Sequence, residues 1–215
     1  MAIIVSKEQA LKTIKDNLTL MIGGFLAVGT PEIFIDGIIE IGVRNLTVIA
    51  NDTGFPDRGI GKLVVAKQLK KIIVSHVGTN PETGRQMNLH ELKVELVPQG
   101  TLAEQIRAGG AGLGGVLTPT GIGTIVEEGK QKISVDGREY LLEKPLKADV
   151  ALLWADVADK AGNLLYRRSS RNFNPLMAMA AKTVIVAASN IVEIGEIDPD
   201  MVMTPGIFVD MIVQG

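Results

Sequence analysis

This 215-residue sequence predicts an α/β fold with a mainly parallel open sheet, helices on both faces and an inserted β-hairpin region. Three observations carry that expectation. Short aliphatic runs alternate along the chain with helical patterns, the signature of strand–helix–strand units. The runs are mainly apolar, as strands covered on both faces are. With 46% hydrophobic but only 4% aromatic residues, the core has to be aliphatic. The length suits one large domain, taken here as residues 1–215, and no internal repeat or long polar linker divides it.

The elements follow in order. Residues 6–15 read as a short amphipathic helix, with Ser6 as cap and Gln9 three positions on. "LTLMI" (18–22) is strand-forming and runs into Gly23-Gly24. Thr30 is placed to cap a helix whose first position is Pro31, and Gly42 to end it. Residues 45–50 form a strand, 60–70 a helix and 71–77 a strand. "LKVELVPQG" (92–100) is another strand, followed by a helix over 101–108 that Thr101 and Glu104 can cap as a box. Residues 130–146 alternate around Asp136-Gly137, the strongest short hairpin signal. Residues 149–167 give a central strand, a turn near Ala161-Gly162-Asn163 and a returning strand. A helix (175–182), a strand (183–189) and a last strand (206–214) complete the order.

Composition excludes several chemistries. With no cysteine, disulfides, thiolate metal sites and thiol nucleophiles are ruled out, and two histidines make a histidine-rich metal site implausible. A net charge of −2 without a basic block argues against nucleic acid as the partner. The N-terminus lacks a signal-peptide pattern, and no apolar run approaches the ~18 residues of a membrane span. A soluble cytoplasmic protein is the expectation.

The stretch "LTLMIGGFLAVGTPEIFIDGII" (18–39) poses the functional question. Gly24 and Gly29 are spaced as in a phosphate-binding loop, yet Thr30-Pro31 stand where that loop needs Lys and Ser/Thr. The dinucleotide pattern fails as well, because Gly23 and Gly24 are adjacent. What remains is a tight strand-to-helix turn, or a loop where backbone approaches a ligand beside a helix N-terminus. A second cluster, Ala108–Gly123, holds seven glycines in sixteen residues and is too apolar for a plain linker. It either packs against another subunit or a ligand chain, or forms an interior loop with several positive-φ positions.

In an open parallel sheet, ligands bind outside the carboxyl ends of strands. Gly23-Gly24, Asn51-Asp52 and Gln99-Gly100 fall there. Asn51 and Gln99 can orient a carbonyl or carboxylate without adding charge, although Asn51 equally suits closing a turn through its side chain. "YRRSSRNFNP" (166–175) clusters Arg167, Arg168 and Arg171, either to hold an anion or as a solvated or subunit-facing edge. His76 falls in an apolar strand and reads as structural. No G-x-S-x-G elbow occurs.

These residues also carry a family resemblance. "DNLTLMIGGFLAVGTP" (16–31) resembles the glycine-rich signature of the family I CoA-transferases. The likeness continues, in order, through "NDTGFPDRGIG" (51–61), "VPQGTLAEQIRAGGAG" (97–112), "TPTGIGT" (118–124) and "SSRNFNP" (169–175). It is nearest to the α subunits of the heteromeric enzymes that act on short-chain acyl groups.

The resemblance implies ping-pong transfer of CoA between an acyl-CoA and a free carboxylate, with CoA as substrate and no further cofactor or metal. The nucleophilic glutamate of that family lies in the β subunit, in a Ser-Glu-Asn-Gly segment that this chain lacks. The chain is therefore expected to supply half of a site, with no catalytic residue of its own and a β subunit as partner in an α2β2 assembly. Gly23, Gly24, Phe25 and Gly29 match the signature loop and would wall the acyl end of the cleft. Asn51 and Gln99 match positions beside the reacting carboxylate. Gly109, Gly110 and Gly112 match a segment that would face either ligand or partner. Two other readings stand beside it: a sugar-phosphate isomerase using Asp52 as base, and a non-enzymatic ligand sensor.

Overall fold

The computed structural model describes residues 2–215. The chain runs β1 (Ile3–Ile4), α1 (Lys7–Leu11), β2 (Thr19–Ile22), α2 (Glu32–Ile41), β3 (Leu46–Ile49), α3 (Gly61–Val65), β4 (Leu69–Val74), α4 (Pro81–Asn88), β5 (Lys93–Leu96) and α5 (Gln99–Ala111). It continues through β6 (Val116–Thr118), β7 (Lys132–Val135), β8 (Arg138–Glu143), β9 (Ala148–Asp159), β10 (Leu164–Leu165), α6 (Asn174–Met179), β11 (Ala181–Val192) and β12 (Met211–Gln214).

Eight strands form a parallel path in the order β1-β12-β11-β9-β2-β3-β4-β5, and β10 pairs antiparallel with β9. From β2 the chain winds outward through β3 and β4 to β5. It then returns to β9, on the other side of β2, and winds outward the opposite way. The β2/β9 boundary is thus a topological switch point, where connections diverge and leave a crevice at the carboxyl ends.

Burial follows the pleat. Leu20, Ile22, Val48, Ile72, Val74, Val150 and Leu152 pack with Leu11, Phe34, Ile38 and Leu63 of α1–α3 on one face. Met21, Ile49, Ile73, Ala151 and Leu153 pack with Leu102, Ile106 and Met177 of α5 and α6 on the other. Side chains alternate between faces with period two, so a strand covered on both sides is mainly apolar. Between α5 and β9 the chain adds a separate antiparallel sheet, β6-β8-β7. Its hairpin turns at Asp136 (φ 51°) and Gly137 (φ 75°), both left-handed as a two-residue type I′ turn requires.

Several local expectations hold and others are corrected. Ser6 and Gln9 form the capping box, and Gly42 ends α2 in the left-handed region. Pro31, not Thr30, is the cap of α2, because the Thr30 side chain turns in beneath Gly24. The helix expected over 60–70 stops at Val65. Gln68 then donates its side-chain amide to the Ile38 and Val43 carbonyls, tying the chain to the end of α2 before β4 begins. Helix α5 starts at Gln99 after Pro98, so Thr101 lies inside it and no Thr101–Glu104 box forms. The last strand begins only at Met211, after a 3₁₀ turn at Gly206–Phe208. Helix α4 was not anticipated; it is polar along most of its length and is started by Asn80, whose side chain accepts from Glu82 N–H.

A short loop motif recurs at two neighbouring strand ends, although no repeat divides the chain. Gly24-Phe25-Leu26-Ala27-Val28-Gly29 follows β2, and Gly54-Phe55-Pro56-Asp57-Arg58-Gly59 follows the neighbouring β3. Each folds into a miniature hairpin, bridged Phe25–Val28 and Phe55–Arg58, between two glycines of positive φ. A six-residue unit lies far below the ~20–50-residue periods that mark repeat architectures.

Candidate functional site

The loop after β2 owes its shape to absent side chains. A Cβ on Gly23 would lie 1.8 Å from Asn174 Oδ1, and Gly24, at φ 126°, backs onto Thr30. Gly23 N–H donates to the Leu152 carbonyl of β9, extending the β2/β9 pairing across the switch point. Leu26 and Ala27 at the hairpin tip are both left-handed (φ 47° and 68°), a conformation L-residues adopt at a cost. Phe25 and Val28 stay exposed beside this tip.

Asparagines from the far end of the chain hold the loop. Asn172 Oδ1 accepts Gly24 N–H at 3.1 Å, and Asn172 Nδ2 donates to the Val28 carbonyl at 3.0 Å. Asn174, 0% exposed, donates to the Gly29 and Ser170 carbonyls and accepts Trp154 N–H. In the segment 166–175 these two residues and Ser170, bonded to Asp156, are the anchors. Arg167, Arg168 and Arg171 are exposed, and Arg167 and Arg168 line the recess beside the first hairpin. Asn172 and Asn174 stood in the "SSRNFNP" stretch, but only the fold brings them to Gly24.

At the neighbouring strand end, Asn51 is 2% exposed. Its Nδ2 donates to Asp52 Oδ2 at 2.7 Å, and its Oδ1 accepts from Gln99 Nε2 at 2.7 Å. The turn after β3 is closed by Asp52 rather than Asn51: Asp52 Oδ1 accepts Gly54 N–H at 2.7 Å. Asp52 Oδ2 also accepts Leu26 N–H at 2.9 Å, so one buried carboxylate ties the two hairpins together. Gln99, the first residue of α5, reaches Asn51 across β4, where the Ser75 hydroxyl donates to the Asn51 carbonyl.

The structure thus brings Gly23, Gly24, Phe25, Gly29, Asn51 and Gln99 to the carboxyl ends of β2, β3 and β5. Gly109, Gly110 and Gly112 lie elsewhere, near the other end of α5, about 15 Å along the helix from Gln99. A Cβ on Gly109 would meet the Leu146 carbonyl at 1.9 Å, and one on Gly110 would meet Met179 Cβ at 2.6 Å. Gly112 ends the helix at φ 71°. His76 is not in a strand: it follows the end of β4, is exposed, and its backbone bridges Asp52.

A recess of about 750 Å³ adjoins the first hairpin, lined in part by Val28, Gly29, Trp154, Asp156 and Ser170. A groove of about 630 Å³ between α1 and α2 opens near Asp16 and Val43, at the amino ends of β2 and β3, away from the crevice. Behind the Arg-rich segment, burial pushes the Tyr166 phenol well above its ordinary range, and its hydroxyl pairs with Thr204 at 2.9 Å. Among the described residues no cluster of His, Asp and Glu is arranged to hold a metal ion, and no helix is long and apolar enough to cross a membrane.

The ordered glycine loop, the amide pair and the switch point can be set beside known proteins. The family model for coenzyme A transferase matches residues 4–215. The chain belongs to the coenzyme A transferase family. It is 54% identical over 210 residues to the acetate CoA-transferase subunit alpha of Escherichia coli K12, covering 98% of this chain and 96% of that one. It is 54% identical over 211 residues to the acetoacetyl-CoA:acetate/butyrate CoA transferase alpha subunit of Clostridium acetobutylicum, covering 98% and 97%. Solved transferases share the fold. The E. coli O157:H7 acyl-CoA transferase, crystallised as a thioester complex with CoA, superposes with a TM-score of 0.89 at 23% identity. All of this chain is covered by 47% of that longer one. Glutaconate coenzyme A-transferase of Acidaminococcus fermentans gives 0.84 at 18% identity, covering 99% and 75%.

Proposed function

We propose that this chain is the α subunit of a heteromeric CoA-transferase that moves CoA between a short-chain acyl-CoA and a short-chain carboxylate. Acetoacetyl, acetyl and butyryl groups are the substrates in view, by analogy with the relatives' names. The enzyme works in the cytoplasm as an α2β2 assembly, with CoA as substrate and no further cofactor.

The observation that carries this reading is the chemistry of the strand-end cluster. It offers neutral amides and tightly shaped backbone, while its one carboxylate, Asp52, already accepts three hydrogen bonds. Such a wall orients and shields a reaction whose nucleophile comes from elsewhere. That nucleophile is a glutamate of the β subunit. Its carboxylate attacks the thioester carbonyl carbon, and the C–S bond breaks to give an acyl-glutamyl anhydride and CoA thiolate. The thiolate attacks the glutamyl carbonyl, releasing the first carboxylate and leaving a glutamyl-CoA thioester. The incoming carboxylate runs the same steps in reverse. Gln99, braced by the buried Asn51, and the Gly23–Gly29 loop hold the reacting carboxylate and exclude the water that would hydrolyse either intermediate. A sugar-phosphate isomerase would need Asp52 free as a base, and its oxygens are occupied by Leu26, Gly54 and Asn51.

The test is CoA transfer from acetoacetyl-CoA to acetate or butyrate, with this chain alone and with its β subunit. Transfer only in the mixture, with the glutamyl-CoA adduct trapped on the β chain, is the expected result. Full activity of the isolated chain, or an adduct on it, overturns the proposal.

A further inference from the structure

The hydrogen bonds at the end of β3 run in one direction. A carboxylate oxygen only accepts, so the Asn51 amide facing Asp52 Oδ2 at 2.7 Å must present its NH2. Asn51 Oδ1 then faces the other way and accepts, so Gln99 must turn its own NH2 toward it, again at 2.7 Å. The Ser75 hydroxyl gives its one proton to the Asn51 backbone carbonyl at 2.8 Å, so the Gln99 amide is the donor that Asn51 Oδ1 receives. A flipped Asn51 would set oxygen against oxygen at Asp52. Gln99 is exposed and its Oε1 takes no hydrogen bond from the described residues.

We propose that Asp52 is a positioning residue for the transfer reaction. Through Asn51 it locks the Gln99 amide in one of its two orientations, so that Oε1 and the second Nε2 proton always face the cleft. This rests on the reading of Asn51 and Gln99 as cleft residues. An amide free to flip would set its oxygen against the reacting carboxylate where a donor is needed, replacing a hydrogen bond by a repulsion. The same carboxylate holds Leu26 N–H at the left-handed hairpin tip, so the amide orientation and the loop wall are fixed by one side chain.

The experiment is a double-mutant cycle on the assembled enzyme, using Asp52→Ala, Asp52→Asn, Gln99→Ala and the two double variants. Asp52→Ala removes the acceptor, and kcat is expected to fall about 10- to 100-fold while KM for acyl-CoA moves less than about threefold. Asp52→Asn keeps an oxygen toward Asn51 only by setting its NH2 against the Gly54 N–H, so it loses the turn bond but retains the amide lock, and its loss in kcat is smaller. In the Gln99→Ala background both substitutions should cost several-fold less than they do alone, the remainder coming from the Leu26 and Gly54 bonds that do not run through the amide. Equal losses with and without Gln99 make Asp52 a purely structural residue and overturn the proposal. If Asp52→Ala fails to assemble, Asp52→Asn closes the cycle by the same criterion. An unchanged kcat in Gln99→Ala overturns the cleft reading itself, and this proposal with it.

Discussion

Asn172 and Gly24 stand 148 residues apart in sequence, and the Asn172 Oδ1 accepts the Gly24 N–H at 3.1 Å. That bond, with Asn172 Nδ2 on the Val28 carbonyl, spans both ends of the first hairpin. The loop is therefore held open in one shape by a residue outside it. Asn172→Ala should cost about 1 kcal/mol by leaving the part-buried Gly24 N–H unpaired, while the Val28 carbonyl keeps the Phe25 N–H. Hydrogen exchange at Gly24 should rise in the variant while α2 keeps its protection.

Gly23→Ala tests the fit between loop and Asn174. The new methyl would meet Asn174 Oδ1 at 1.8 Å, and that oxygen is held by Trp154 N–H. Overpacking of this kind costs about 1–3 kcal/mol. A lower thermal midpoint and loss of transfer in the assembled enzyme are expected. Gly42→Ala, with open space around its Cβ but φ 70°, should cost about 1–2 kcal/mol from backbone strain alone and keep activity.

Glu143 is the latch between the small sheet and α5. It is 2% exposed, accepts from Gln105 at 2.9 Å and pairs with Lys130 at 2.6 Å. Glu143→Ala leaves Lys130 and Gln105 without that partner. A cost of about 2–3 kcal/mol is expected, below that of a fully buried pair because Lys130 is partly exposed. Urea titrations should show it, and Glu143→Gln, which retains an acceptor, should lose less.

Acid stability follows from depressed carboxyls. The Arg85 guanidinium, helped by Gln86, brings Glu82 down to about 2 from an ordinary 4.5. The Thr19 N–H and then Lys182 lower Asp149, and Arg85 and Lys67 lower Glu91. A carboxyl whose folded value is depressed contributes stability above its unfolded value and loses it as pH falls toward the folded one. Stability should therefore drop from pH about 4.5 toward about 2, and Glu82→Gln should flatten the upper part of that decline. Thermal midpoints against pH for both proteins check this.

Much of this protein was legible in its sequence. Mainly aliphatic strands imposed a two-sided parallel sheet, and Ser6, Gly42 and Asp136-Gly137 marked their turns and caps. These are local signals, each decided by a few neighbouring residues. The ordered glycine, asparagine and glutamine motifs likewise led to the family. What local pattern left undecided needed distance. Thr30 lost its capping role to the space beneath Gly24, and α4 was missed because its few apolar residues gave no period. The Ala108–Gly123 glycines divided only in the fold, where Gly109 and Gly110 admit Leu146 and Met179. Above all, the work of Asp52, Asn172 and Asn174 was invisible, since hydrogen bonds between residues up to 148 apart leave no periodicity to read. Sequence determined the strands, the loop and the residue types at the strand ends. Tertiary structure decided how the amides pair: Asp52 turns Asn51 from the next position along the chain, but Gln99 takes its direction from Asn51, 48 residues away, which only the fold brings within reach.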